Sequence, residues 1–93
     1  MRVQIGSHTL ARAEERGTNE AEIVDVLATG FSIPAKYGKM GKAKVYDFAR
    51  LRQGKFYRQK RVEVFYLHQG DRLVTVTVYV FFGSWEESDA NPL

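Results

Sequence analysis

The sequence has no cysteine among its 93 residues, so neither a disulfide nor a thiolate metal site holds it together. Its two histidines, His8 and His68, lie far apart, which leaves a structural zinc site without a ligand set. No apolar run approaches the roughly 20 residues of a membrane helix. Residues 1–6 carry no basic segment leading into an apolar one, as a signal peptide would. The expectation is a cytoplasmic protein with no membrane partner. Gly38-Lys39-Met40-Gly41-Lys42 lacks both the spacing and the strand-to-helix context of a phosphate-binding loop. No Gly-x-Ser-x-Gly elbow appears, and nothing in the chain suggests a metal or cofactor.

What is present is enough apolar material for one core. At 44% hydrophobic residues the chain is ordinary for a globular domain and too apolar for a disordered one. Its length suits one core and not two. A single domain over residues 1–93 is expected, with its core over about 7–82 and an acidic tail over 83–93. The net charge of +3 is divided unevenly. Residues 1–30 sum to −2 and residues 62–93 to −4, whereas residues 36–61 carry ten basic side chains against Asp47 alone, or +9. A block of that sign inside a nearly neutral protein points to a polyanion.

Ser7 stands where it would cap a helix from about residue 8 to 16, with Gly17 as the stop. Asn19 followed by Glu22 resembles a capping box for a second helix ending near Thr29, and Ile23, Val24, Leu27 and Ala28 form its apolar stripe. After Gly30 the period changes. Short strands are expected over about 31–35 and 43–51, with a lysine- and glycine-rich loop at 37–42 between them. A strand at 61–68 then turns through Gly70-Asp71. In the last strand Val74, Val76, Val78, Val80 and Phe82 alternate with Leu73, Thr75, Thr77, Tyr79 and Phe81, the pattern of a central strand with one face in the core. The whole is an α+β domain: two N-terminal helices packed on one face of a three- to four-stranded antiparallel sheet. The opposite face would carry Thr75, Thr77 and Tyr79.

Two constellations could carry chemistry. His8, Arg12 and Arg16, at i, i+4 and i+8, share one helix face, an arrangement that suits a phosphate. The plainer alternative pairs both arginines with Glu14 or Glu15 on a solvated helix. Between residues 36 and 61, Lys36, Lys39, Lys42, Lys44, Arg58, Lys60 and Arg61 lie among Tyr37, Tyr46, Phe48, Phe56 and Tyr57. Cations track phosphates and aromatic rings stack on unpaired bases, so the mixture suits single-stranded nucleic acid, RNA above all. Its plainer alternative is a lysine-protected sheet edge, and an acidic protein partner would meet the same charge.

Ser7-His8, Arg12, Glu15-Arg16-Gly17, Glu20, Ile23, Leu27 and Gly30, together with Leu73-Val74-Thr75-Val76-Thr77-Val78-Tyr79, resemble the domain-of-unknown-function family 4258. The likeness spans about residues 7–79, and the stretch 38–61 is longer and more basic than the family pattern. That family is grouped with the barnase–EndoU–colicin–RelE fold, near the RelE and BrnT toxins of toxin–antitoxin systems. The resemblance implies helices on an antiparallel sheet and a metal-independent endoribonuclease. Its candidate catalytic residues are His8, Arg12, Arg16, Thr77 and Tyr79. RNA or the ribosome would be the target and an acidic antitoxin-like protein a partner. Three readings stay open: an RNA-cleaving toxin-like domain, a non-catalytic module binding nucleic acid or an acidic protein, and a domain that forms homodimers through its exposed sheet.

Overall fold

The computed structural model describes residues 2–85. Two helices, α1 (Ser7–Arg16) and α2 (Glu20–Thr29), are preceded by a short strand β1 (Arg2–Gln4). Four strands follow: β2 (Phe31–Ile33), β3 (Met40–Arg52), β4 (Lys55–Gln69) and β5 (Arg72–Gly83). The sheet has five strands in the order β1-β5-β4-β3-β2. The expected α+β class is present, but the count of three to four strands and the wholly antiparallel sheet need correction, because β1 runs parallel to β5 with Arg2 opposite Arg72 and Gln4 opposite Val74. Three residues with no alternation gave no strand signal of their own. β1 exists because the start of β5 offers it an edge.

Each helix terminus has a cause. Gly6, not Ser7, is the N-cap of α1, and no side chain caps it. At the other end Gly17 takes φ 96°, and the amides of Gly17 and Thr18 both reach the Ala13 carbonyl, a left-handed stop that suits glycine. Asn19 caps α2 as expected, its Oδ1 accepting from the Glu22 amide at 2.9 Å. The Glu22 carboxylate, however, turns away from the cap, toward Thr18 and Lys60. Gly30 follows α2 where the chain crosses β3 so closely that a Cβ would stand 2.5 Å from the Val26 oxygen and 2.6 Å from that of Ala43.

The core lies between helices and sheet. Ile23, Val26 and Leu27 of α2 and Ala13 of α1 pack on Val62, Val64 and Tyr66 of β4 and Val78 of β5. The buried stripe of α2 is therefore Ile23, Val26 and Leu27, and Val24 is 41% exposed.

A register shift corrects the reading of the last strand. Phe65 pairs with Thr77 and Tyr66 with Thr75, so Val76 is an extra residue, a β-bulge. The insertion reverses the alternation on its N-terminal side. Thr75 is consequently buried on the helix face, 8% exposed, and does not share a face with Thr77 and Tyr79. β1 ends opposite Val74, so among the described residues the outer edge of β5 has no strand partner beyond that point. Side chains of α1 serve it instead: the Thr9 hydroxyl points at the Val76 carbonyl at 3.5 Å, and Arg16 Nη1 donates to the Val78 carbonyl at 2.6 Å.

Several mid-chain lysines hold the helices. Lys60 is 6% exposed. Its ammonium donates to the Gly17 carbonyl at 3.0 Å and to Glu22 Oε1 at 2.6 Å. Lys42 donates to the Leu27 carbonyl at 3.0 Å, bringing positive charge to the C-terminal end of a helix whose own last turn has no basic residue. Lys44 meets Asp25 Oδ2 at 2.7 Å and the Thr29 hydroxyl at 2.8 Å, and the Tyr46 hydroxyl donates to the same carboxylate oxygen.

Two outcomes test this account. Lys60→Met strands the Glu22 carboxylate at a partly desolvated contact and is expected to cost about 3–5 kcal/mol, while adding Glu22→Leu recovers most of it; urea-unfolding midpoints of the single and double variants measure both. The Lys44 ammonium and the Tyr46 hydroxyl hold the Asp25 carboxyl down, from its ordinary value of 3.8 to about 2. A depressed carboxyl stabilises the fold above its unfolded pKa, and that stabilisation is lost as pH falls through the folded one. Asp25→Asn should therefore flatten the loss of stability between about pH 4 and pH 2, read from denaturant midpoints across that range.

Candidate nucleic-acid interface on the open sheet face

The face of the sheet turned away from the helices is neither bare nor continuously cationic. Phe31, Ile33, Gly41, Ala43, Phe65 and Leu67 are buried or half-buried there. Tyr79 and Phe81 are 42% and 47% exposed. Where the link between β2 and β3 comes over this face, Lys36, Tyr37, Lys39, Phe65, Thr77 and Tyr79 line a groove of about 220 Å³. Phe65 supports Tyr79 edge-on, with ring centroids 5.9 Å apart.

The link is a tight turn. The Lys39 amide donates to the Lys36 carbonyl at 3.2 Å, and both central residues have positive φ, Tyr37 at 58° and Gly38 at 74°. For a bulky residue this backbone region is strained, and such strain collects at ligand-binding sites. The turn holds Tyr37 with its ring in solvent, 89% exposed, and sets Lys36 and Lys39 at the groove. A ring this exposed makes little packing contact with the described residues.

Beside the groove, one side chain of α1 meets Tyr79. Arg16 lies with Cζ 4.9 Å from the centroid of the Tyr79 ring. Its hydrogen bond to the Val78 carbonyl fixes the guanidinium. Among the described residues that is its one hydrogen bond, so further N–H donors face outward from a planar group stacked beside an exposed tyrosine.

Of the five candidate catalytic residues, the structure brings three together: Arg16, Thr77 and Tyr79. Arg12 is drawn to Glu15 at 3.0 Å, the plainer alternative for that residue. His8 is exposed in the first turn of α1, two helical turns from Arg16, about 12 Å along the axis.

The seven residues expected to bind RNA separate into four groups. Lys36 and Lys39 stand at the groove. Lys42, Lys44 and Lys60 turn to the helix side and are engaged there, which corrects their placement on an RNA surface. Arg61 shares the open face but pairs with Glu63 at 2.9 Å, both side chains 18% exposed. Arg58 is exposed near the far end of β4. The physical reason is register: Lys42, Lys44 and Tyr46 oppose Val64, Val62 and Lys60, so all of them face the core layer. Phe65 is the groove residue that the sequence did not single out, whereas Tyr37 was expected among the aromatics of the basic segment. The signal for Tyr37 was its place beside Gly38 between two lysines.

A larger apolar groove, about 460 Å³, opens on the helix side among Val3, Val24, Leu27, Met40, Tyr66 and Leu73. Its lining includes one charged residue, Lys42, already on the Leu27 carbonyl, and one histidine, His68. It offers volume without a converging set of free polar groups.

The position of Arg16 yields a check. Arg16→Ala removes the donor to the Val78 carbonyl and is expected to lower stability by about 1–2 kcal/mol, whereas Arg12→Ala, at an exposed pair, changes it by under about 0.5 kcal/mol; thermal and urea unfolding distinguish the two.

Compared with known proteins, the chain matches no family model, no curated protein and no solved structure.

Proposed function

We propose that this protein binds a short unpaired stretch of RNA on the open face of its sheet, without cleaving it. The observation that supports the reading best is the groove of Lys36, Tyr37, Lys39, Thr77 and Tyr79, with Arg16 beside the Tyr79 ring. Exposed aromatic rings offer faces for unpaired bases, lysines at the rim attract phosphates, and a fixed guanidinium suits a phosphate or a base edge. The Thr77 hydroxyl adds a donor and acceptor at the floor of the groove. The resemblance of residues 7–79 to family 4258 points to the same class of ligand.

Cleavage is the second reading, and the Arg16–Tyr79 neighbourhood is what favours it. A ribose 2′-oxygen would attack the adjacent phosphorus and give up its proton, while the phosphorus–5′-oxygen bond breaks and the leaving oxygen takes a proton. Tyr79 would handle a proton and Arg16 would stabilise the charge on phosphorus. With His8 about two turns away along α1, the groove has one candidate proton carrier where this reaction uses two. Binding without chemistry asks less of the same residues.

Fluorescence anisotropy with a labelled single-stranded RNA is the test. Tyr79→Ala is expected to weaken binding roughly 5- to 100-fold. Each of Lys36→Gln and Lys39→Gln should weaken it and lower the slope of log K against log salt by about 0.7. Lys44→Gln, whose ammonium already serves Asp25, should reduce stability and leave affinity unchanged. Affinity indifferent to Tyr79 and Lys39 would sink the proposal. Incubation of the RNA with the protein in a chelator separates the two readings: intact RNA supports binding alone, and 2′,3′-cyclic phosphate ends that disappear with Tyr79→Phe support cleavage.

A further inference from the structure

The two outer edges of the sheet are protected differently. β2 is three residues long and is followed by Pro34, and both features blunt an edge. The outer edge of β5 is longer. β1 covers it from Arg72 to Val74, and Thr9 and Arg16 reach the Val76 and Val78 carbonyls. Among the described residues no hydrogen bond meets this edge beyond Val78. Ser84 and Trp85 do not turn back along it. The Trp85 amide donates to Gln59 Oε1 at 2.6 Å, which draws the chain after Gly83 toward β4 instead.

Which backbone groups face outward follows from the ladder. In an antiparallel pair successive residues of a strand bond alternately to one neighbour and to the other side. Val78 turns its carbonyl outward to Arg16. Val80 and Phe82 therefore turn their amides and carbonyls outward too, while Tyr79 and Phe81 bond to Glu63 and Arg61 of β4. Between the two open residues stands Phe81, 47% exposed. From Leu73 to Trp85 there is no charged side chain, so nothing on the strip itself repels a strand laid beside it. The strip is also held firmly, since Phe48 and Tyr57 pack on Phe82 at 5.1 and 5.6 Å and Arg52 lies over its ring at 4.6 Å.

We propose that two copies of this chain pair along that edge, β5 against β5, antiparallel about a two-fold axis at Phe81. An open residue on each side of an exposed ring reads the same in either direction, as an isologous contact requires. Val80 and the partner's Phe82 exchange both of their hydrogen bonds, and so do Phe82 and the partner's Val80. The two Phe81 rings meet at a non-hydrogen-bonded position, where Cα atoms stand about 4.5 Å apart, and each covers the other. An unrelated strand satisfies the same backbone groups but has to bring its own apolar residue to Phe81; a second copy brings one by symmetry. Tyr79 falls opposite the partner's Gly83, which has no side chain, so Arg16 keeps its place on the Val78 carbonyl and beside Tyr79. α1 meets the edge at Val76 and Val78, to one side of the axis, and the partner's α1 lies to the other. The pairing joins both five-stranded sheets into one, with the two Tyr79 grooves on the same face. A contact this short buries less surface than a permanent dimer does, so the association depends on concentration.

Sedimentation velocity of the whole chain tests the pairing. Over about a hundredfold rise in concentration the mass is expected to move from one chain toward two. The Val80 and Phe82 amides should gain protection from hydrogen exchange in step with it. Phe81→Lys and Phe81→Glu each set like charges opposite one another across the axis and should weaken dimerisation at least about tenfold. An equimolar mixture of the two variants should restore it, because the charges that meet then differ in sign. Position 81 is exposed, and circular dichroism verifies the fold of each variant. A single-chain mass at every concentration, dimerisation that both variants leave unchanged, or a mixture that stays monomeric overturns the proposal. So does protection of both amides in a monomer, which assigns the edge to another part of the same chain. The groove reading stands or falls separately, on RNA affinity.

Discussion

The contact on which the arrangement of layers depends is the Lys60 ammonium beneath the helices. Lys60 lies on the central strand β4 and reaches the carbonyl of Gly17, the residue that ends α1, and the first-turn carboxylate of α2, so a single charge ties α1, α2 and the sheet together. A charge that is 6% exposed is tolerated only when it is paired and hydrogen-bonded, and the geometry supplies both. Thr18 donates to the same Glu22 oxygen from within the link between the helices, so the carboxylate is held from two sides. The link is only three residues long, Gly17 to Asn19, and its conformation is set by a glycine stop, a buried threonine and an asparagine cap. Helices joined so tightly have little freedom to re-pack, and Lys60 fixes their height above the sheet.

Lys42 and Lys44 extend the same device along α2. The helix carries Glu20, Glu22 and Asp25 and no basic residue in its last turn, so its own sequence leaves the C-terminal end uncompensated. β3 supplies the missing charges from outside the helix. The strongly basic middle of the chain is thus in part the complement of an acidic helix in the same molecule. What remains for a partner is smaller and more localised: Lys36 and Lys39 at the groove, with Arg16 beside Tyr79.

Much of the fold was legible in the sequence. The alternation of β5 from Thr77 onward, the strand before it, the Gly70-Asp71 turn, both helices and the Asn19 cap follow from local chemistry that the structure repeats. The parts that were not legible depend on pairing. β1 has no pattern of its own and is defined by its neighbour. The bulge at Val76 appears only when β4 fixes the register on both sides of it, and it moves Thr75 into the core. Lys42 and Lys44 could face either side of a strand until their register with Val62 and Val64 is known. A signal was nevertheless available, in Glu22 and Asp25 on a helix with no cation to answer them. Of the five residues that the resemblance grouped, Arg16 lies beside Tyr79 and Thr77 shares its groove, while His8 and Arg12 stay apart from them; Lys36 and Lys39 had been assigned to a longer basic surface that register divides.

The groups around the groove are positioned by contacts that exist without a ligand, and this bears on what the groove can do. Arg16 is set by the Val78 carbonyl, Tyr79 by Phe65, and Tyr37 by a backbone conformation that a large side chain adopts at a cost. Preorganisation of this kind lowers the entropy lost on binding. It also limits rearrangement. His8 is carried by the same helix as Arg16, so the separation between them is as rigid as the helix, and α1 cannot bring His8 to Tyr79 without releasing Arg16 from the edge of β5. A reaction needing both would require the fold to give up the contact that closes that edge, whereas a bound strand needs only the rings, cations and hydroxyl already in place.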